Sequence, residues 1–200
     1  MRWFNLAQYE FSTLKAQQLM QQHELGALLL TTETNVRYFT GFLTRFWESP
    51  TRPWYLIIPQ SGKPIAVIPS IGEALMSKTW VEDIRTWPSP DLTDDGINLL
   101  SETLNEVAKK NRVGIPSGAE THVRIPRNDL IKLSQSVNLS HDFEIVKNLR
   151  MIKSKEEIIK IEKACMIAKE AFSRVPEIAS ENIRLDEVFR RFQVLCLEAG

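Results

Sequence analysis

The sequence predicts a mixed α/β fold, a β-sheet with helices on both faces, followed by a purely helical segment. Three observations predict it. Strand and helix patterns alternate along the first three quarters of the chain, the order that builds a sheet between helical layers. Two apolar runs, residues 54–58 and 65–68, flank a polar, turn-forming stretch at 59–64 and read as a hairpin inside that alternation. From Ser154 onward strand patterns cease.

Each element follows from its residues. A first helix covers 13–24, with Ser12 as N-cap and Leu14, Leu19 and Met20 on one side. Gly26 stops it. Residues 26–31 are apolar without alternation, the pattern of a strand buried on both faces. The hairpin strands are bounded by Pro59 and Pro64, which cannot donate to a ladder. A short helix near 71–78 and a strand near 83–87 follow. The next helix, 94–110, carries Leu99, Leu100, Leu104 and Val107 as its core stripe. Asp94 and Asp95 open it and Lys109 and Lys110 close it, as the helix dipole favours. A strand at 112–115, a helix at 124–134 and a strand at 136–142 complete the first part.

The last fifty residues change character. Ser154 and Glu157 have capping-box spacing. The helix they open carries Ile158, Ile161, Ala164, Cys165, Ala168, Ala171, Phe172 and Val175 at helical spacing. After a break at 176–182, Leu185, Val188, Phe189, Phe192 and Leu195 form a second stripe. Both stripes need a cover. The sequence thus predicts one domain at 1–147 and the start of another at 148–200, with the boundary near Asn148.

Composition narrows the function classes. The chain has 200 residues, 43% of them hydrophobic, enough to bury roughly 70% of its unfolded surface without disulfides or metal. Lys plus Arg equals Asp plus Glu at 25 each, which argues against a nucleic-acid binder and against a disordered polyelectrolyte. The first ten residues, from Met1, Arg2 and Trp3 onward, contain no signal-peptide apolar run, and no stretch has the length of a membrane span. The expected setting is the cytoplasm, without membrane attachment. Cys165 and Cys196 read as small buried hydrophobes in a reducing compartment, with a disulfide as the other possibility. His23, His122 and His141 are scattered, and no cluster has metal-ligand spacing. His23 is expected at the surface, and His122 near a helix start.

The local chemistry concentrates at 35–55, where seven of 17 aromatic residues fall in 21 positions. They are Tyr38, Phe39, Phe42, Phe46, Trp47, Trp54 and Tyr55, interleaved with Arg37, Arg45 and Arg52. Ser49, Pro50, Thr51, Arg52 and Pro53 make the middle an ordered loop. Aromatic faces and guanidinium groups on a loop suit a binding surface, through stacking, cation–π contact and carboxylate recognition. Tyr38, Phe39 and Tyr55 are expected to fill the core beside the hairpin. For Trp47 and Arg52, on the loop itself, core filling and ligand contact stand side by side. Asp94 and Asp95 read as helix-start charges rather than a catalytic pair, and Trp80 and Trp87 as anchors of the sheet edge.

Two motifs carry a family resemblance. Asn35-Val36-Arg37-Tyr38-Phe39-Thr40-Gly41-Phe42 closely resembles the N-x-x-Y-x-T-G-F signature of the N-terminal domain of creatinase and the Xaa-Pro peptidases, the M24 metallopeptidases. Arg150-Met151-Ile152-Lys153-Ser154-Lys155-Glu156-Glu157-Ile158 resembles the R-x-x-K-S-x-x-E-I entry to that family's catalytic domain. The run 46–54 is similar to the branch that includes dimethylsulfoniopropionate lyases.

The resemblance implies a ribonuclease H-like N-terminal domain, then two helices that open a pita-bread catalytic domain. It implies two divalent metal ions held there by two Asp, one His and two Glu, which activate a bridging water. Those ligands lie beyond the two opening helices, so none maps before Gly200. The expected cofactor count for this chain is none, and no peptidase activity is expected of it alone. The implied partners are its own catalytic domain, a second copy in a homodimer, and a small peptide or small-molecule substrate. The loop at 43–53, with Arg45, Trp47 and Arg52, is the candidate substrate-facing or partner-facing surface. A creatinase-like amidinohydrolase, a lyase of the same superfamily and a stand-alone binding module remain alternatives.

Overall fold

The computed structural model describes residues 4–49 and 52–200 and divides into two compact units, Met1–Met151 and Ile152–Gly200. Met1, Arg2 and Trp3, and Pro50 and Thr51 of the expected loop, lie outside the described residues. Asn148, the boundary expected from sequence, lies inside a helix of the first unit.

The first unit is built on a sheet of six strands among the described residues, in the order β4-β3-β2-β1-β5-β6. The strands are β1 (Leu25–Leu30), β2 (Tyr55–Pro59), β3 (Ile65–Pro69), β4 (Asp83–Trp87), β5 (Arg112–Ile115) and β6 (Leu139–His141). β1 is the hub. It pairs antiparallel with β2, where Leu28 faces Ile58, and parallel with β5, where Leu28 faces Gly114. β2 and β3 form the antiparallel hairpin, while β3–β4 and β5–β6 are parallel. β2 therefore runs alone against the other five. Every residue of β1, β2 and β3 is buried, as continuous apolar strands require.

Period-two alternation sends the side chains to two separate cores. Leu28, Leu30, Leu56, Ile58, Ala66 and Ile68 face one side. There they meet α1 (Leu6–Gln22), α2 (Glu33–Thr40), α3 (Glu73–Met76) and α6 (Ile145–Met151). Leu29, Tyr55, Ile57, Val67 and Val113 face the other side. They pack on α4 (Ile97–Ala108) and α5 (Arg127–Ser136). Helices thus cover both faces, as the sequence predicts.

Several boundaries differ from expectation, each for a local reason. α1 starts at Leu6 because the Asn5 side chain accepts from the Gln8 N–H; Ser12, the expected cap, is buried inside the helix. Its inward face is Tyr9, Ser12, Thr13, Ala16, Gln17 and Met20, whereas Leu14 is 58% exposed. Gln17 belongs inside because its Nε2 donates to the carbonyls of Pro59 and Gly62 at 3.0 and 2.8 Å. α4 starts at Ile97 rather than at the aspartates. Asp94 instead receives the N–H groups of Ile97 and Asn98 on Oδ1, and Gly96 turns the chain at φ +88°. A Cβ on Gly96 would stand 2.4 Å from the Trp87 ring, so only glycine fits. Lys109 and Lys110 leave the helix with φ of 49° and 71°. α5 begins at Arg127, which leaves both His122 and Arg124 in the preceding loop. His23 is half-buried rather than a surface residue, stacked 4.3 Å from the Phe143 ring. α2 and α6 were not expected as helices.

The second unit holds α7 (Lys155–Ser173), α8 (Val175–Ile178) and α9 (Leu185–Ala199). The capping box forms, with Ser154 Oγ accepting from the Glu157 N–H and Glu157 accepting from the Ser154 N–H. Ala171, Ile178 and Leu195 make a small core, flanked by Val188, Phe192 and Cys196. Arg174 holds it from outside through Glu177 and Glu198. Of the other stripe residues, Ile158, Ile161, Phe172, Leu185 and Phe189 are exposed. Cys165 is exposed too, against expectation, because the α7 face that carries it has no cover; both cysteines are free thiols. Among the described residues no helix is long and apolar enough to cross a membrane.

Candidate functional site

Five strands point their carboxyl ends the same way, and the loops that leave an open α/β sheet at that edge are where such folds place ligand contacts. The aromatic and arginine segment lies there, between the end of α2 and the start of β2. Its course is set locally. Gly41 ends α2 in the left-handed conformation at φ +75°. Thr40 Oγ1 donates to the Val36 carbonyl at 2.7 Å and accepts the Phe42 N–H at 3.0 Å, which turns Phe42 into the core. Thr44 Oγ1 accepts the Phe46 N–H and starts a single 3-10 turn, Arg45–Glu48.

Trp54, fully buried, is the floor. Phe42, Trp47 and Phe46 pack on it with ring centroids at 5.5, 5.9 and 6.3 Å. Trp47 is only 8% exposed, whereas Phe46 is 37% exposed. The Arg52 guanidinium lies over the Phe46 ring at 5.4 Å. The Arg45 side chain is 95% exposed, its nearest carboxylate, Glu48, at 4.0 Å. The three sequence candidates are thus brought to one rim at different depths, Arg45 outside, Arg52 half-buried and Trp47 beneath. Tyr55 and Phe39 are core residues and Tyr38 is half-buried against the core.

One residue that sequence reasoning missed joins this rim from far along the chain. The Arg124 N–H donates to Thr31 Oγ1 at 2.9 Å, where β1 ends. Its guanidinium donates to the carbonyls of Arg52, at 3.2 Å, and of Ser49, and lies 5.4 Å from the Trp47 ring. Desolvation pulls its pKa below the usual arginine value. Its partners are backbone carbonyls 72 and 75 positions away, so no side-chain pattern could have announced it.

Beside the rim, burial pushes the Tyr55 hydroxyl pKa up, and the charges of Asp129, Asp95 and Asp94 push it further while Arg124 opposes them. Asp95 Oδ1 accepts the Trp87 indole N–H at 2.8 Å, and Trp80 donates to the Phe39 carbonyl at 2.8 Å. The aspartates and both tryptophans are therefore structural. Two polar grooves of about 630 and 520 Å³ lie at the opposite edge of the sheet and share Gln60 and Asn111. Among the described residues no three His, Cys, Asp or Glu side chains converge to hold a metal. The rim is equipped to bind, with aromatic faces and cations.

Comparison with known proteins decides the family. The profile of the Creatinase/Prolidase N-terminal domain matches residues 13–152. The chain belongs to that family. An uncharacterized hydrolase/peptidase of Sinorhizobium fredii is 25% identical over 192 residues, which cover 92% of this chain and 48% of that protein. The chain spans about half the length of the curated relatives it matches. The fold is similar to a prolidase from Thermococcus sibiricus, with a TM-score of 0.77 and 21% identity over 94% of this chain and 49% of the other. It is also similar to a dipeptidase from Mycobacterium ulcerans, with a TM-score of 0.73 and 21% identity over 98% and 51%.

In this creatinase/prolidase N-terminal domain the two sequence motifs, 115 positions apart, meet. Arg150 donates to Asn35 Oδ1 at 2.8 Å, and the Tyr38 hydroxyl donates to the Leu149 carbonyl at 3.3 Å. With Thr40, Gly41 and Phe42 occupied as above, most of the first motif is accounted for by folding. It ties α2 to α6, the last helix of the first unit.

Proposed function

We propose that this chain is the N-terminal, non-catalytic part of a dinuclear-metal hydrolase of the Xaa-Pro dipeptidase or aminopeptidase type, and that its rim serves dimerisation and shapes an active-site entrance. The observation that carries the reading is the rim itself. Arg45 and Phe46 stand exposed and Arg52 half-buried over the Phe46 ring at the carboxyl edge of the sheet, backed by the buried Trp47–Trp54 pair. The family supports the enzyme class, and relatives described as peptidases support the reaction type. Among the described residues no group of side chains fits the two metals that the family implies, and the reading assigns those ions to a catalytic domain outside this chain. Arg45 and Arg52 then face a carboxylate or carbonyl of the substrate, or the partner subunit, while Trp47 keeps them in place.

A charge-assisted hydrogen bond contributes about 1.5–3 kcal/mol, so losing one weakens binding about tenfold or more. In the complete enzyme, the Arg45→Ala and Arg52→Ala double variant is expected to raise KM for Xaa-Pro dipeptides by at least that factor, with kcat nearly unchanged. Kinetics identical to the unaltered enzyme would sink the reading.

A further inference from the structure

We propose that Arg124 is the positioning residue of the rim, a clamp that fixes the Arg45 and Arg52 segment by donating to that segment's own carbonyls. The clamp stands on geometry alone; its consequence for substrate rests on the reading of the rim given above.

Arg124 is rooted in the sheet, because its backbone N–H is held by Thr31 at the end of β1. From there its guanidinium reaches the carbonyls of both Ser49 and Arg52. A planar guanidinium can serve two diverging acceptors at once, which an ammonium does less well. The same group covers the Trp47 ring. Among the described residues Arg124 has no carboxylate within ion-pair distance, although it is half-buried. A half-buried cation without an anion is costly unless hydrogen bonds replace its water. Here the loop carbonyls of Ser49 and Arg52 do so.

A second observation shows that the loop needs an external hold. Both indole N–H groups beneath it, Trp47 Nε1 and Trp54 Nε1, are buried without a hydrogen-bond partner. Unsatisfied donors of this kind work against the conformation that buries them, so that conformation persists only where its surroundings impose it. Beyond the local caps at Thr40 and Thr44, Arg124 is a polar contact from outside the segment that holds it, and it ties the rim to the end of β1.

The test uses the full 200-residue chain with Arg124→Gln and Arg124→Lys, and limited digestion by trypsin. The Arg45–Phe46 bond sits in the clamped segment, whereas Arg52 precedes Pro53 and resists trypsin. Arg124→Gln is expected to speed cleavage after Arg45 at least tenfold, with rates in 152–200 unchanged. Arg124→Lys, which keeps stem and charge but not the fork, is expected to fall between the two. Should the Gln variant not fold, the Lys variant decides alone, since faster cleavage supports the clamp and the unaltered rate overturns it. Wild-type cleavage in a folded Gln variant also overturns it. In the complete enzyme, Arg124→Gln is then expected to raise KM more than it lowers kcat. A released loop with unchanged KM keeps the clamp and removes the reading of the rim. An unreleased loop removes the clamp, whatever the Arg45 and Arg52 variants do.

Discussion

Tyr55 opens β2 with its ring stacked 6.2 Å from Trp87 and its surface 1% exposed. An unfolded tyrosine ionises near pH 10, whereas burial and three nearby aspartates make the folded Tyr55 hold its proton to higher pH. Above pH 10 the folded chain therefore binds more protons than the unfolded chain. The contribution is complete below pH 10 and declines as pH rises, by up to about 1.4 kcal/mol per pH unit. Tyr9, raised mainly by desolvation, adds a smaller share in the same direction. Urea midpoints measured at pH 9 and near pH 11 are expected to diverge in the unaltered chain, and to diverge less in Tyr55→Phe. Equal divergence in both would show that Tyr55 ionises as freely folded as unfolded. The place of Tyr55 was legible in the sequence because it starts an apolar strand. Arg124 was not, because a backbone carbonyl looks the same behind every residue.

At the scale of elements, the strands were read with little error, since β1, β2 and β3 are apolar throughout and proline or glycine punctuates them. The helices were harder where their buried faces are polar or short. α1 turns Ser12, Thr13 and Gln17 inward, so its hydrophobic periodicity points to the wrong start. α2 and α6 have 8 and 7 residues, too few turns for a period to stand out, and they are held by each other rather than by propensity. The Asn35–Arg150 hydrogen bond makes that dependence measurable. Asn35 is 7% exposed, so removing Arg150 leaves a buried acceptor unpaired, at a cost of about 1–3 kcal/mol. Arg150 makes further contacts, so Arg150→Ala is expected to destabilise the first unit at least as much as Asn35→Ala. In the double variant the second substitution is expected to cost about 1 kcal/mol less than it does alone. Strict additivity in denaturant unfolding would mean that the bond does not couple the two helices.

The two units differ in how well they close. The first buries side chains on both faces of its sheet. The second has three buried residues in its core, while Ile158, Ile161, Phe172, Leu185, Phe189 and Leu197 are between 46% and 80% exposed. Scattered exposed leucines are normal on any protein. These residues instead recur at helical spacing on α7 and α9, and contiguous apolar patches beyond a few hundred Å² are uncommon on monomers. The stripes were legible in the sequence as faces in need of cover; what the structure adds is that the chain covers only their Ala171 and Leu195 positions fully. A hydrophobic face left in water associates with the next available one, so the 200-residue chain is expected to self-associate through α7 and α9. Sedimentation velocity from about 1 to 100 μM is expected to show a mass that rises with concentration above the 23.0 kDa of one chain. Ile161→Glu with Phe189→Glu changes two exposed positions outside the small core, so helicity should survive while association is lost. A monodisperse single chain at the highest concentration, before any substitution, would mean that the stripes are covered in a way this fold does not have.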